Sequence, residues 1–299
     1  MTAHAFANTF GLPAVAEGLG SLLYRPKRLY RGYLFDLDGT IYLGKDLLPG
    51  AREILQQIRA TDSKVVFLSN NPTRDPQMYV DKLTSLGIPA GLNEILNTVV
   101  TMTAWLLEHA ADKKIFVIGE APLKLALTSA GLTLTEDARE VDIVVASYDR
   151  TFEYRKLQIA FDAIAVHRRA ILVTTNPDVF CPFPAGNGEP DAGAIVAAIE
   201  ACTGARCQVN AGKPDKLMLE TAMRQIGLTP ADCLMVGDRL STDIAMGVAA
   251  GMDTALVLTG ETTLPLLAQS DLRPTYVLHG VHELLPDDLP VVNGGDARG

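Results

Sequence analysis

The 299-residue chain reads as an α/β protein, a parallel sheet with helices on both faces that is interrupted by a second α/β unit. Three observations predict this. Short apolar runs alternate with stretches of helical periodicity from Arg31 to the region of Leu258. Four polar motifs follow such runs in order, where strands would end. Between the second and third motifs, roughly from Thr103 to Pro190, lies a segment with strand and helix signals of its own. Ligands of open parallel sheets bind beyond the carboxyl ends of the strands, so the placement of the motifs and the fold class support each other.

The elements follow in order. Residues 1–28 are Ala- and Gly-rich and end in Arg25-Pro26-Lys27-Arg28. A secretory signal carries its basic residues first, so this stretch reads as an N-terminal extension, partly helical. Tyr33-Leu34-Phe35-Asp36 is a buried first strand. A helix over residues 50–60 turns Ile54, Leu55 and Ile58 inward, and Val65 to Ser69 forms the next strand. Asp75-Pro76 opens a helix that stops near Gly87, as an early Pro and a late Gly favour. In the interrupting unit, strands are expected at residues 115–118, 143–146 and 171–174, with helices at 123–130 and 153–166. Leu219, Ala222, Met223 and Ile226 mark one apolar helical face closed by Gly227. A strand ending at Gly237, a helix over 244–250 and a strand over 255–258 complete the alternation. The expected domains are therefore the extension 1–28, a discontinuous core of 29–102 and 191–299, and an inserted domain of 103–190.

Composition narrows the function. Lys and Arg number 26 against 35 Asp and Glu, a net charge of −9 without the basic footprint of a nucleic-acid binder. No 18-residue apolar run exists, so no membrane span is expected. Cys181, Cys202, Cys207 and Cys233 form no CxxC pair, which suits reduced thiols and a cytoplasmic protein.

The chemistry lies in the motifs. Asp36 and Asp38 put two carboxylates close together after the first strand, where like charges raise a pKa unless a cation intervenes. That arrangement implies a bound cation, a proton-carrying role for one carboxylate, or both. An Asp-x-Asp-Gly segment is also an ordinary turn, and the other three motifs set this one apart. Ser69-Asn70 offers a hydroxyl and an amide at the next strand end. Ala211-Gly212-Lys213-Pro214 holds a lysine in a tight turn before a helix, and Gly237-Asp238 is followed by Asp243.

Together these motifs resemble the haloacid dehalogenase superfamily, and the likeness spans about residues 30 to 285. The return segment Thr175-Asn176-Pro177-Asp178, with Gly237-Asp238-Arg239-Leu240-Ser241-Thr242-Asp243 and Leu256-Val257-Leu258-Thr259-Gly260, is similar to its subclass IIA. That group holds the p-nitrophenyl phosphatases and the nucleotide, sugar and pyridoxal phosphatases. The resemblance implies a Rossmann-like parallel-sheet core carrying a C2-type α/β cap, and a phosphatase acting on a small phosphomonoester metabolite. It implies Asp36 as the nucleophile and Asp38 as the general acid and base. Ser69, Asn70 and Lys213 would bind the phosphoryl group. Mg²⁺ would be held by Asp36, Asp238 and the main-chain carbonyl of Asp38, with Asp243 and Thr40 in support. Asp178, Asp191 and Tyr148 are specificity candidates in the cap, and a homodimer is expected because caps of this type often pair. A phosphonate hydrolase, a phosphomutase or an idle metabolite sensor on the same core is the alternative. One departure stands out. Relatives have Pro-Gly-Ala-Gly at the return crossing, whereas this chain has Pro190-Asp191-Ala192-Gly193, a carboxylate suited either to capping a helix or to filtering anionic leaving groups.

Overall fold

The computed structural model describes residues 23–183 and 187–286, so most of the expected 1–28 extension lies outside the described residues. The strands, in chain order, begin with β1 (Gly32–Asp36), the short pair β2 (Tyr42–Leu43) and β3 (Asp46–Leu47), β4 (Lys64–Ser69) and β5 (Ile95–Asn97). They continue with β6 (Lys114–Ile118), β7 (Thr133–Leu134), β8 (Ile143–Ala146) and β9 (Ile171–Thr174). The last are β10 (Phe180–Pro182), β11 (Gly188–Pro190), β12 (Cys207–Asn210), β13 (Cys233–Gly237), β14 (Asp253–Val257) and β15 (Tyr276–Leu278).

Two parallel sheets result. The core sheet runs β15-β14-β13-β1-β4-β5, and the cap sheet runs β12-β9-β8-β6-β7. From β1 the chain first builds outward through β4 and β5, then returns to build the other side through β13, β14 and β15. That reversal makes the carboxyl end of β1 a topological switch point, where two loops part and leave a crevice.

Both sheets are covered on both faces, which explains why their strands read as unbroken apolar runs rather than as alternations. On the core sheet, Tyr33, Phe35, Phe67 and Val236 pack on one side with helix Ala51–Ala60. Leu34, Val66, Leu68 and Met235 pack on the other with helix Lys216–Ile226. Ile115 and Val117 against Phe116 and Ile118 divide the cap sheet in the same way. Helix starts follow the side-chain chemistry. The Asp75 carboxylate accepts from the Met78 amide, Asn97 caps helix Thr98–His109, and Asp215 caps Lys216–Ile226. Gly227 closes that last helix in the left-handed region, at φ 65°.

Most expected elements fall within a residue or two of their observed bounds. The inserted unit differs at its end. It was expected to close at residue 190, yet β12 pairs with β9 and Ile195 and Ile199 of helix Ala192–Thr203 pack into the cap interior. The cap sheet therefore extends to Asn210. This last helix carries apolar residues in the same rhythm as a core helix, and only pairing partners, which a periodicity lacks, assign it to the cap. The expected helix over 244–250 begins with a wider turn at Leu240–Ile244 and becomes regular at Ala245–Ala249.

The phenyl ring of Phe67 is fully buried in the middle of the core sheet, with its centroid 6.1 Å from that of Phe35. Phe67→Ala should lower the unfolding free energy by about 3–5 kcal/mol in urea titrations. A loss under about 1 kcal/mol would show that this layer repacks freely.

Candidate active site

The site assembles at the switch point from four strand ends. β1 stops at Asp36, and the chain turns at once, with the Leu37 carbonyl accepting from the amides of Thr40, Ile41 and Tyr42. Gly39 donates to the Tyr42 carbonyl at 2.7 Å. Asp38 therefore sits exposed on a turn, not on a continuing strand, and the face-sharing argument for the two carboxylates gives way to this loop. Thr40 was expected to order the loop through its hydroxyl, but Oγ1 is buried without a hydrogen-bond partner. The main chain does that work instead.

Lys213 is the central cation. Its side chain is 3% exposed, and Nζ lies 2.5 Å from Asp36 Oδ1 and 2.7 Å from Asp243 Oδ1. Burial alone would depress the ammonium's pKa. The Asp243 and Asp36 carboxylates outweigh that effect and hold it above its ordinary value. Asp36, Asp238 and Asp243 bring ligand oxygens within 4.8 Å of one another. Burial pushes the Asp36 carboxyl up against the pull of Lys213, and it pushes Asp238 up further, aided by the charges on Asp36 and Asp243.

Asp238 is held tightly. Its Oδ2 accepts from the Glu261 amide at 2.6 Å. A Cβ added at Gly260 would stand 1.9 Å from that oxygen, and one at Gly39 would stand 2.6 Å from it, so both glycines are needed for close approach. Asp238 Oδ1 is buried and has no partner. A buried carboxylate oxygen left unmatched among like charges is costly, and a hard divalent cation would complete it. A donor set of clustered carboxylate oxygens fits a hard cation such as Mg²⁺. Asp243 spends its oxygens elsewhere: Oδ1 accepts from Lys213 and Oδ2 from the Arg239 amide at 3.2 Å. It anchors the lysine and the loop after β13.

The second motif behaves less simply. Ser69 Oγ lies 2.8 Å from the Tyr79 hydroxyl and accepts from the Asn71 amide at 3.2 Å. The Asn70 side chain was expected to meet the phosphoryl group, yet it is spent on protein. Oδ1 accepts from the Lys213 amide at 2.7 Å, and Nδ2 donates to the Lys213 carbonyl and to Asp178 Oδ2, each at 3.0 Å. An amide that matches both backbone groups of one residue acts as a clamp, leaving only the main chain of Asn70 for a ligand.

The cap candidates separate likewise. Asp178 also accepts from Asn176 Nδ2 at 3.2 Å. Asp191 accepts from the Ala192 amide at 2.5 Å and from Asn176 Nδ2 at 3.0 Å, so it caps helix Ala192–Thr203 rather than facing a ligand. Tyr148 is buried and donates to Glu189 on β11. The hairpin of β10 and β11 brings Cys181 within electrostatic reach of Asp191, Arg239, Asp38 and Asp178. Two residues without an assigned role also enter the site. Tyr79 orients Ser69, and Arg239 pairs with Glu261 at 3.0 Å while its charge is favoured by Asp238, Asp36 and Asp178. Arg239 stood inside the fourth motif, whereas nothing in the helical pattern distinguished Tyr79 from a core aromatic.

Comparison with known proteins identifies the family. A haloacid dehalogenase-like hydrolase model matches residues 33–133, and a related HAD hydrolase-like model matches 210–284. An acid sugar phosphatase of Staphylococcus haemolyticus is 35% identical over 83% of this chain and 92% of its own length. The chain belongs to the haloacid dehalogenase-like hydrolases. Like its relatives it is a phosphatase of small phosphorylated substrates. The 5'-nucleotidase YutF of Bacillus subtilis is 33% identical over 87% of this phosphatase and 99% of its own length. The structure of a p-nitrophenyl phosphatase from Archaeoglobus fulgidus superposes with a TM-score of 0.80 at 30% identity, covering 86% and 98% of the two chains. No helix among the described residues of the phosphatase is long and apolar enough to cross a membrane.

Burial raises the Asp191 carboxyl to about 6. The native state then keeps a proton that the unfolded chain releases near 3.8, so stability from this group is complete below that pH and is lost as pH rises through about 6. Asp191→Asn retains an oxygen for the cap and needs no such proton. It should stabilise the phosphatase at pH 8 by up to about 3 kcal/mol and by little at pH 4. Equal effects in denaturant titrations at the two pH values would show that Asp191 is ionised in the fold at no cost.

Proposed function

We propose that the chain is a Mg²⁺-dependent phosphomonoesterase that works through an aspartyl-phosphate on Asp36. The carrying observation is the Asp36 carboxylate held by buried Lys213 at the crevice, with Asp238 beside it and Asp38 exposed at the rim. Asp36, Asp238 and the carbonyl of Asp38 would hold the metal, which when bound offsets the repulsion between a carboxylate nucleophile and an anionic phosphate.

The side chains divide the remaining work. Lys213 fixes Asp36 Oδ1, which leaves the other oxygen to attack phosphorus. Asp38, exposed on its turn, protonates the departing alkoxide and then takes a proton from the water that hydrolyses the acyl-phosphate. Ser69, its hydroxyl set by Tyr79, and the main-chain amide of Asn70 receive the phosphoryl oxygens, and Lys213 adds positive charge beside them. Two observations weigh against a phosphonate hydrolase, which needs a free cap amine. Lys156 is bound to buried Asp149 at 2.7 Å and also donates to Thr151. Lys124 lies on cap helix Ala121–Ser129, and no described contact ties it to the site.

The substrate is a small phosphomonoester of the sugar phosphate, nucleotide or aryl phosphate kind, as the relatives' names suggest. Phosphate release from a panel of such esters should require Mg²⁺ and stop with EDTA. Asp36→Asn should reduce kcat by at least about three orders of magnitude. Asp38→Asn should reduce it by about 10²–10⁴ and flatten the pH profile. Wild-type turnover by Asp36→Asn would remove the nucleophile assignment.

A further inference from the structure

Two cations stand on rings next to the Asp38 and Ser69 loops, with no carboxylate of their own among the described residues. Arg74 lies in the loop that leaves β4, and Lys82 lies further along helix Pro76–Ser85. Both are half-buried, and neither forms an ion pair among the described residues. Most other charged contacts of this acidic chain are matched, including the cap pairs Arg150–Glu120 and Lys156–Asp149.

Each cation instead rests on an aromatic ring that leads to the phosphoryl site. Lys82 Nζ is 3.3 Å from the ring centroid of Tyr42, whose main chain bridges to Asp38 and closes the Asp38-Gly39 turn. The Arg74 guanidinium carbon is 5.9 Å from the ring centroid of Tyr79, whose hydroxyl holds Ser69. Stacking of this kind contributes about 0.5–2 kcal/mol and holds the cation in place, but it uses none of the N–H donors. Burial, aided by the charge on Arg74, pulls the Lys82 ammonium down to about 8, against the opposing pull of Asp38. Each charge favours an anion beside it.

The other side of the crevice is unlike this one. There the carboxylates of Asp178 and Asp191 accept from Asn70, Asn176 and the Ala192 amide, and as acceptors they offer nothing to an anionic group. Arg239, the cation on that side, is already paired with Glu261 at 3.0 Å, so the cations left without an ion pair for a negative group on the leaving part of a substrate are those on the Arg74 side.

We propose that Arg74 and Lys82 form a subsite for a second anionic group on the leaving part of the substrate. The preferred esters would then carry a carboxylate or a second phosphate away from the scissile one. This rests on the phosphomonoesterase reading of the site above, and it narrows the substrate class within that reading. Arg74 offers a planar fork for either anion and Lys82 a point charge.

A matched set of aryl esters tests it: phenyl phosphate, 4-carboxyphenyl phosphate and 1,4-phenylene bisphosphate. The readout is the ratio of kcat/KM for each charged ester to that for phenyl phosphate, in wild type, Arg74→Gln, Lys82→Gln and the double variant. Wild type should favour at least one charged ester by on the order of tenfold, as charge-assisted hydrogen bonds allow, and the substitutions should bring the ratio towards one. Which charged ester leads tells carboxylate from phosphate. Lys82→Arg should keep most of the preference. A wild-type ratio near one overturns the proposal. So does a ratio that survives the substitutions while every rate falls alike, which would make the two cations general screens for the acidic centre.

The same esters titrated calorimetrically into Asp36→Asn with Mg²⁺ separate the two readings. If wild type hydrolyses none of them, the phosphomonoesterase reading falls, and the subsite is then decided by binding alone. Tighter binding of a charged ester that is lost in the added Arg74→Gln, Lys82→Gln background supports it. Equal binding of all three esters, or no binding of any, overturns it.

Discussion

A single buried ammonium, that of Lys213, makes the crevice a site. Asp36, Asp238 and Asp243 come from β1 and from the loop and turn after β13, and their oxygens converge within 4.8 Å. Three carboxylates so close and so shielded from water would repel, and burial already raises the pKa of two of them. Lys213 bridges Asp36 and Asp243 from a side chain only 3% exposed, so part of that repulsion becomes attraction. Breaking a buried pair of this kind costs about 3–5 kcal/mol, because the partners are left charged and unmatched. The part it leaves uncompensated, Asp238 Oδ1, is the opening for a cation.

That lysine does not belong to the core sheet. It sits in the turn after β12, the edge strand of the cap sheet, so its position depends on how the chain returns from the cap. Asn70 solves the resulting problem by gripping both the amide and the carbonyl of Lys213 from the end of β4. The same side chain donates to Asp178, which Asn176 also holds, and Asn176 reaches on to Asp191. A continuous chain of hydrogen bonds thus runs from the main chain of Lys213 to the first turn of cap helix Ala192–Thr203. Its members are all polar, with Lys213, Asn176 and Asp191 buried and Asn70 and Asp178 half-buried, so each depends on the others for a partner. Position at the crevice and attachment of the cap are consequently one structural question.

These relations explain what could be read from residues alone. The strands β1, β4 and β13 were legible because a doubly covered parallel sheet demands unbroken apolar runs, and Asp36, Ser69 and Asp238 were legible because strand ends carry the chemistry. Lys213 and Asp243 carried the same motif signal. What failed to show was partner choice. The Asn70 side chain looks like a phosphate ligand until the Lys213 backbone is brought beside it. Thr40 looks like a loop organiser until the Leu37 carbonyl takes that part. β12 looks like core because edge pairing with β9 joins residues far apart in sequence. Asp191 was read both ways, and its contact with Asn176, 15 residues away, decides for the cap.

The two flanks of the crevice then follow from where backbone groups needed satisfying. On the cap side the acidic residues close helix starts and amide clamps, so their charge is absorbed by the fold. On the side of helix Pro76–Ser85 the requirements differ: Asp75 already caps the helix, and Tyr42 and Tyr79 fill the space between helix and loop. Cations stacked on those rings meet no backbone demand, and their N–H groups stay available. Among the described residues, Arg74 and Lys82 make no hydrogen bond or ion pair with Lys213 or its carboxylates, so this flank can change without disturbing them. Selectivity for the leaving group can therefore reside partly in the core, on residues outside the catalytic motifs that touch them, among the described residues, only through the rings of Tyr42 and Tyr79.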